Sequence, residues 1–290
     1  MPELSLLEKL FVFFQHIVPQ HLLSRITGAL AETRYKPIKD FLIRQFIRQF
    51  NVDLTDAELT DAEAYPTFNA FFTRALKDEA RPVDSSEGSF CSPVDGTISQ
   101  AGSIDRQTLM QAKGHYFDLE TLMAGDSQLI EPFIDGAFST IYLSPKDYHR
   151  IHMPYAGKLL ATRYVPGKLF SVNDTTTQSV PGLFARNERL ICLFECEHGN
   201  FAMVLVGAMI VAGIETVWSG QITPLSSSSQ KQHYDTELFL EKGQEMGRFK
   251  LGSTVILLLP KSMADTAAVE ETWPEGEALR MGQRFLPLNI

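Results

Sequence analysis

The strongest constraint on the fold is a change of texture near residue 88. Before it, three helically spaced apolar stretches, about 4–17, 21–32 and 38–50, are separated by Pro19 and Pro37. Proline lacks the amide hydrogen that a helix interior needs, so it marks the breaks. After residue 88 the chain breaks into short apolar runs punctuated by Gly, Pro and Asp-Gly, at 93–96, 136–143, 159–165, 190–194, 201–211 and 249–259. Apolar runs of that length between turn formers read as strands. The pattern predicts an α+β fold: a β-rich body of packed antiparallel sheets, sandwich- or barrel-like, preceded by amphipathic amino-terminal helices. The expected division is a helical region over 1–84 and a β-rich domain over 85–290. A further helix is expected over 68–76 with Thr67 as its cap after Pro66. Residues 197–200 read as a hairpin turn and 226–229 as a mobile loop.

With 290 residues, 44% of them hydrophobic, the chain has material for one large core or a core plus a smaller helical piece. Its charge is uneven. Residues 1–50 carry seven Lys/Arg against four Asp/Glu, so a total of −9 leaves −12 for the rest. An acidic body with a basic, aromatic-rich start argues against nucleic acid as a partner and points to an anionic membrane surface. In the third helix Ile38, Phe41, Leu42, Phe46 and Phe50 share one face and Arg44 and Arg48 another, which suits core packing and membrane docking equally. The stretch 4–18 is interrupted by Glu8, Lys9, Gln15 and His16, short of the roughly 18 apolar residues of a spanning helix. The start also lacks the basic leader and small-residue site of an export signal. Peripheral attachment to the cytoplasmic face of the cell membrane is therefore expected.

Three cysteines, Cys91, Cys192 and Cys196, are too few and too odd in number for a disulfide framework and suit a reducing compartment. Cys192 and Cys196 are about 13 Å apart along one strand, beyond bridging distance. With His198 they form a conceivable zinc corner, though core thiols explain them more simply.

Three segments contain residues suited to chemistry. Leu251-Gly252-Ser253-Thr254 sets a hydroxyl after a glycine at the mouth of an apolar strand. Asp147-Tyr148-His149-Arg150-Ile151-His152 carries two imidazoles that titrate near neutrality. Asp95, in Pro93-Val94-Asp95-Gly96, sits in a turn where an Asx hydrogen bond alone would account for it. Asp95, His152 and Ser253 are nonetheless the groups that raise a hydroxyl's nucleophilicity: the acid orients the imidazole, and the imidazole removes the proton. His149, His152 and Asp147 are alternatively a metal set lacking a clear third direction.

Taken together, PVDGTIS at 93–99, QAKGHYFDLETLMAG at 111–125, YLSPKDYHRIHMP at 142–154, VPGKLFSVN at 165–173, LFARNERLICLFE at 183–195, VGAMIVAGIETVW at 206–218 and KGQEMGRFKLGSTVI at 242–256 resemble the bacterial phosphatidylserine decarboxylase proenzymes. Residues 225–240 carry no signature of that family. The resemblance implies self-cleavage between Gly252 and Ser253, driven by Asp95, His152 and Ser253. The hydroxyl turns the amide into an ester, elimination leaves a dehydroalanine, and hydrolysis releases ammonia. Residues 1–252 and 253–290 then remain as two associated chains, and Ser253 has become a pyruvoyl group. The implied cofactor is that pyruvoyl, with no pyridoxal phosphate and no metal. It would form a Schiff base with phosphatidylserine and release carbon dioxide and phosphatidylethanolamine. The resemblance further assigns His149 to decarboxylation or protonation, places Ser171 and Val172 near the headgroup, and implies a homodimer of cleaved pairs. The rival readings are a Ser-His-Asp hydrolase, a metal enzyme, and a lipid-binding module without activity.

Overall fold

The computed structural model describes residues 5–86, 88–112, 114–209, 213–223, 229–234, 237–250, 253–263 and 274–287. Its helical start comprises α1 (Leu6–Ile17), α2 (Gln20–Ala31), α3 (Lys36–Phe50) and α4 (Phe68–Phe72). A reciprocal cap opens α1: the Ser5 amide donates to the Glu8 carboxylate at 2.8 Å, and the Glu8 amide donates to Ser5 Oγ at 3.3 Å. Pro37 falls inside the first turn of α3, where its missing N–H costs nothing. Thr67 caps α4 as expected, but the helix stops at Phe72 and does not reach 76. Arg74 instead turns away and donates to the carbonyl of Lys146 at 2.9 Å, a tertiary bond that outweighs another helical turn.

The apolar stripe of α3 is split. Ile43 is buried, and Phe46 packs on Phe50, Phe68, Phe71 and Phe72 with ring centroids 4.5 to 6.1 Å apart. Ile38 and Phe41 stay exposed. Along α1 and α2, Leu6, Leu7, Phe13, Phe14, Ile17, Leu22 and Ile26 are exposed too. No helix among the described residues is long and apolar enough to cross a membrane.

The strands follow as β1 (Ser89–Cys91), β2 (Gly96–Ser103), β3 (Thr108–Ala112), β4 (His115–Asp118), β5 (Ala137–Leu143), β6 (Arg150–His152), β7 (Gly157–Val165) and β8 (Arg189–Cys196). They continue as β9 (Gly199–Gly207), β10 (Gly213–Thr216), β11 (Gly220–Gln221), β12 (Gln230–His233), β13 (Phe239–Leu240), β14 (Glu245–Lys250), β15 (Ser253–Leu259), β16 (Ala278–Leu279) and β17 (Arg284–Pro287). The fold is thus α+β and β-rich. A nine-stranded antiparallel sheet runs β12-β7-β8-β9-β15-β5-β2-β16, with β13 also on β7, and is open at both ends. A smaller sheet runs β11-β10-β14-β6. The turn expected at 197–200 joins β8 to β9, with Cys196 opposite Gly199. Most of the loop expected over 226–229 lies outside the described residues.

One regularity of this topology positions the candidate site. The neighbours β9-β15-β5 of the large sheet continue in the same order as β10-β14-β6 of the small one. Three adjacent strands thus keep their order from one sheet to the other, and a crease lies between the two sheets, past Leu143, past Gly207 and ahead of Ser253. The run 249–259, read from sequence as one strand, is two strands in two sheets, and 201–211 likewise ends its strand at Gly207. Hydropathy cannot register the change because both halves are buried: Phe249 and Val255 are each fully covered. β15 has no polar face for the same reason. Val255, Leu257 and Leu259 enter a core shared with Ile151, Ile214 and Met246 of the small sheet. Ile256 and Leu258 enter a second core with Phe133, Phe170 and Phe184.

Gly96 shows how closely the strands approach beside the Asp95 turn. A Cβ there would lie 2.6 Å from the Tyr142 carbonyl oxygen and 2.9 Å from Ile141 Cγ2. Gly96→Val should push β2 off β5 and cost about 2 kcal/mol or more, seen as a lower midpoint in thermal or urea unfolding. An unchanged midpoint would show that the strands tolerate separation.

Candidate active site at the crease between the sheets

Ser253 is the first residue of β15 and is fully buried. It stands opposite Leu143 on one side and Gly207 on the other. Residues directly opposite share a face of the sheet, so its side chain lies on the side of Leu143 and the first core. Its Oγ has no hydrogen-bond partner among the described residues. A buried hydroxyl without a partner is costly, and such atoms concentrate where chemistry needs them. Gly252 lies outside the described residues.

The segment 144–149 leaves β5 just after the Ser253 partner Leu143 and enters β6, and the Phe249 amide donates to the His149 carbonyl at 3.0 Å. His149 is thus held beside the end of β14 that leads into Ser253, whereas His152 pairs with Glu245 at the other end of that strand. The loop is tied internally, as Asp147 Oδ2 accepts from the Ser144 amide at 2.7 Å. It is also tied to the helical region: Arg150 donates to the Thr73 carbonyl at 2.9 Å and pairs with Glu245 at 2.8 Å. Burial pushes the Asp147 carboxyl above its usual range.

His149 is fully buried, with its ring 4.0 Å from that of Phe72. Its Nδ1 faces the Asp147 carbonyl at 2.8 Å; a carbonyl only accepts, so Nδ1 carries the proton and Nε2 is bare. That Nε2 has no partner among the described residues. Burial lowers its pKa to about 3, so it is neutral at pH 7. His152 Nδ1 likewise donates to the Gly243 carbonyl at 2.7 Å, while its Nε2 meets the Tyr148 hydroxyl at 2.9 Å. Burial again lowers its pKa, against the opposing pull of the Gly243 bond.

Asp95 does not sit where the sequence reading placed it. Its carboxylate is gripped by Arg81, with Nε at 2.8 and 3.1 Å and Nη2 at 2.6 Å, and it accepts the Met281 amide at 2.8 Å. The orienting acceptor on His152 is the Gly243 carbonyl, and no hydrogen bond joins Asp95 to His152. Asp95 acts on that imidazole through its charge, which favours the protonated form. A buried guanidinium with two carboxylates in reach outcompetes a neutral imidazole for Asp95.

Ser171 and Val172 lie where α1 docks on the segment that follows β7. The Ser171 amide donates to Gln15 Oε1 at 2.8 Å, which occupies the backbone donor that sequence reasoning offered to a ligand. Val172 is buried in the second core, and Phe170 is core too, with the Arg186 guanidinium 4.9 Å above its ring. Cys91, Cys192 and Cys196 are free thiols. Among the described residues no three His, Cys, Asp or Glu side chains converge as a metal site would need. Sequence reasoning missed Tyr148, inside the histidine motif it had singled out, and Arg81, whose only signal was a charge ahead of a proline.

A β-rich lyase of the phosphatidylserine decarboxylase type is what the chain matches. The family model for phosphatidylserine decarboxylase covers residues 68–286, and a second model, PSD, covers 10–51. The chain belongs to the phosphatidylserine decarboxylase family. Its relatives include the phosphatidylserine decarboxylase proenzyme of Alcanivorax borkumensis, 54% identical over 91% of this chain and 92% of that protein. The proenzymes of Stutzerimonas stutzeri and Bordetella pertussis are 56% and 51% identical, over 87% and 94% of this chain and 86% and 95% of theirs.

Proposed function

We propose that this chain decarboxylates phosphatidylserine to phosphatidylethanolamine through a pyruvoyl group that it makes from Ser253 by cutting itself after Gly252. The observation that carries the reading is the buried, unpartnered Ser253 hydroxyl at the head of a central strand, on the crease where the buried, neutral His149 also sits. That position fits the precursor of such a group. Ser253 is walled in by β5 and β9 but bonded to neither through its side chain.

His152 is the base that takes the Ser253 proton as Oγ attacks the Gly252 carbonyl and the peptide C–N bond gives way to an ester. The Gly243 bond presets the tautomer for this step, Asp95 balances the imidazolium charge, and Tyr148 must yield its place at Nε2. Loss of the Ser253 α-proton then breaks the Cβ–Oγ bond and frees Gly252 as a carboxylate. Uptake of water and release of ammonia leave the pyruvoyl. That group supplies a ketone that condenses with the substrate amine and accepts the electron pair released with carbon dioxide. His149, neutral and dry with a bare Nε2, accepts there a proton that the substrate ammonium sheds on condensation and returns it to the former Cα once carbon dioxide has left. Ser171 and Val172 stand at the docked end of α1, on the approach to the headgroup.

After cutting, residues 253–290 stay attached to 1–252 because β15 is paired on both edges, β16 and β17 pair with β2 and β1, and Met281 is bonded to Asp95. Residues 1–84 serve as the membrane-facing part and 85–290 as the catalytic part. The exposed Leu6, Leu7, Phe13 and Phe14 of α1 enter an anionic bilayer surface on the cytoplasmic side. Extracting a diacyl lipid at about 0.8 kcal/mol per methylene would be prohibitive, so the headgroup is met at the surface. The cleaved pair is expected to dimerise.

Incubating the purified protein with phosphatidylserine vesicles should yield carbon dioxide and phosphatidylethanolamine in equal amounts. Lipid hydrolysis with fluorophosphonate labelling of Ser253, or activity that tracks bound metal, would overturn the proposal.

A further inference from the structure

A cavity of about 220 Å³ lies beneath α2, lined among others by Ser24 and Arg25 of that helix, Glu32 just past its end, Asn69 of α4, and Lys250 at the end of β14. Nothing in the reaction as derived above uses these groups. Ser24 is 5% and Asn69 3% exposed, and both Ser24 Oγ and Asn69 Oδ1 lack a hydrogen-bond partner among the described residues. Both residues line the cavity, and an occupant with polar groups of its own would supply what their orphaned atoms lack.

The cavity abuts the crease. Leu169 and Glu188 also line it, and a Cβ on Gly207 would lie 3.5 Å from Leu169 Cδ2 and 3.3 Å from the Glu188 carbonyl oxygen. Gly207 is the strand partner of Ser253, so its Cβ direction is the face that the Ser253 side chain shares. Lys250 approaches the same place along the chain, at the end of the strand leading to Ser253.

Charge and size narrow the occupant. Lys250 Nζ lies 3.7 Å from Glu32 and 3.3 Å from Glu215, and Arg25 adds a second cation, while Glu32 and the buried Glu188 are acids on the same wall. Both signs together suit a zwitterion better than a simple anion. The volume is below the roughly 300 Å³ at which sites for whole drug-sized ligands begin, so it suits a headgroup without its acyl chains. Those chains have an apolar surface close by, in the exposed Leu22, Ile26 and Leu30 of the same helix.

We propose that this cavity is the headgroup subsite for the phosphoserine moiety of the lipid. Ser24 Oγ donates to an anionic oxygen and Asn69 Oδ1 accepts from the ammonium as the headgroup arrives. Asn69 thereby disfavours a trimethylated amine, which has no N–H to offer. This rests on the decarboxylase reading.

Ser24→Ala removes a hydroxyl with no partner in the free protein, so self-cleavage and the unfolding midpoint should hold. KM for phosphatidylserine in mixed micelles should rise about tenfold or more with kcat little changed, the loss of one hydrogen bond to a charged group. In the uncut Ser253→Ala chain, glycerophosphoserine should raise the melting temperature more than glycerophosphocholine, and Ser24→Ala added to that chain should abolish the difference. Asn69→Ala should raise KM likewise, with a lower unfolding midpoint because the Asn69 amide also donates to Glu32 at 2.9 Å. An unchanged KM in Ser24→Ala, or equal stabilisation by the two probes, would overturn the subsite and leave the decarboxylase reading intact. A wild-type protein that turns over no phosphatidylserine, yet is stabilised selectively by glycerophosphoserine through Ser24, would reject the reaction and keep the site.

Discussion

Ser253→Ala should leave one uncut chain that converts no phosphatidylserine. The hydroxyl is both the nucleophile that breaks the chain and the source of the ketone, so its removal abolishes two activities at once. The fold should survive, because the hydroxyl is buried without a partner and an alanine methyl fills nearly the same space between β5 and β9. Unfolding by heat or urea should show a midpoint no lower than that of a slow-cutting wild-type precursor. Intact mass reads the cut, and release of carbon dioxide reads the reaction. Efficient cutting of this variant at 252/253 would remove Ser253 from the mechanism.

His149→Ala should mature normally yet decarboxylate about a hundredfold or more slowly, the range typical of a lost proton-transfer group. Self-cleavage draws on His152, whose tautomer is set independently by Gly243. Wild-type turnover in this variant would reject the assignment. The same side chain gives a second, equilibrium signal. Folded His149 resists protonation down to about pH 3, whereas an unfolded histidine takes its proton near 6.5. Between those values the unfolded state binds the extra proton, so stability contributed by His149 is present above about pH 6.5 and drains as pH falls, by about 1.4 kcal/mol per unit. His149→Gln should therefore lose less stability than wild type on going from pH 7 to pH 5 in urea titrations. Identical pH slopes would contradict a neutral, buried His149.

Much of this architecture was legible from local chemistry. Pro19 and Pro37 separate the helices, and Thr67 caps α4 as its side chain requires. Gly and Asp-Gly breaks announced the β-rich body. What stayed hidden depends on partners far apart in sequence. The crease is invisible because the strands on both sides of it are buried, so 249–259 reads as a single run. Asp95, His152 and Ser253 were identifiable as candidate groups, but the competition between Arg81 and His152 for one carboxylate is settled only in three dimensions. Tyr148 lay within the motif without distinction because a tyrosine between two chemically evident residues reads as core. The orphaned Ser24 and Asn69 had no sequence signal, since an unmet hydrogen bond belongs to the folded state alone.

The central claim is that Ser253 becomes the cofactor, and the intact mass of the freshly purified, denatured protein tests it most directly. The account predicts two fragments meeting at Gly252 and Ser253, with the small one lighter than its serine-terminated form by the mass of one ammonia. A single uncut chain that never matures, or a small fragment that keeps an ordinary serine amino terminus, would contradict it.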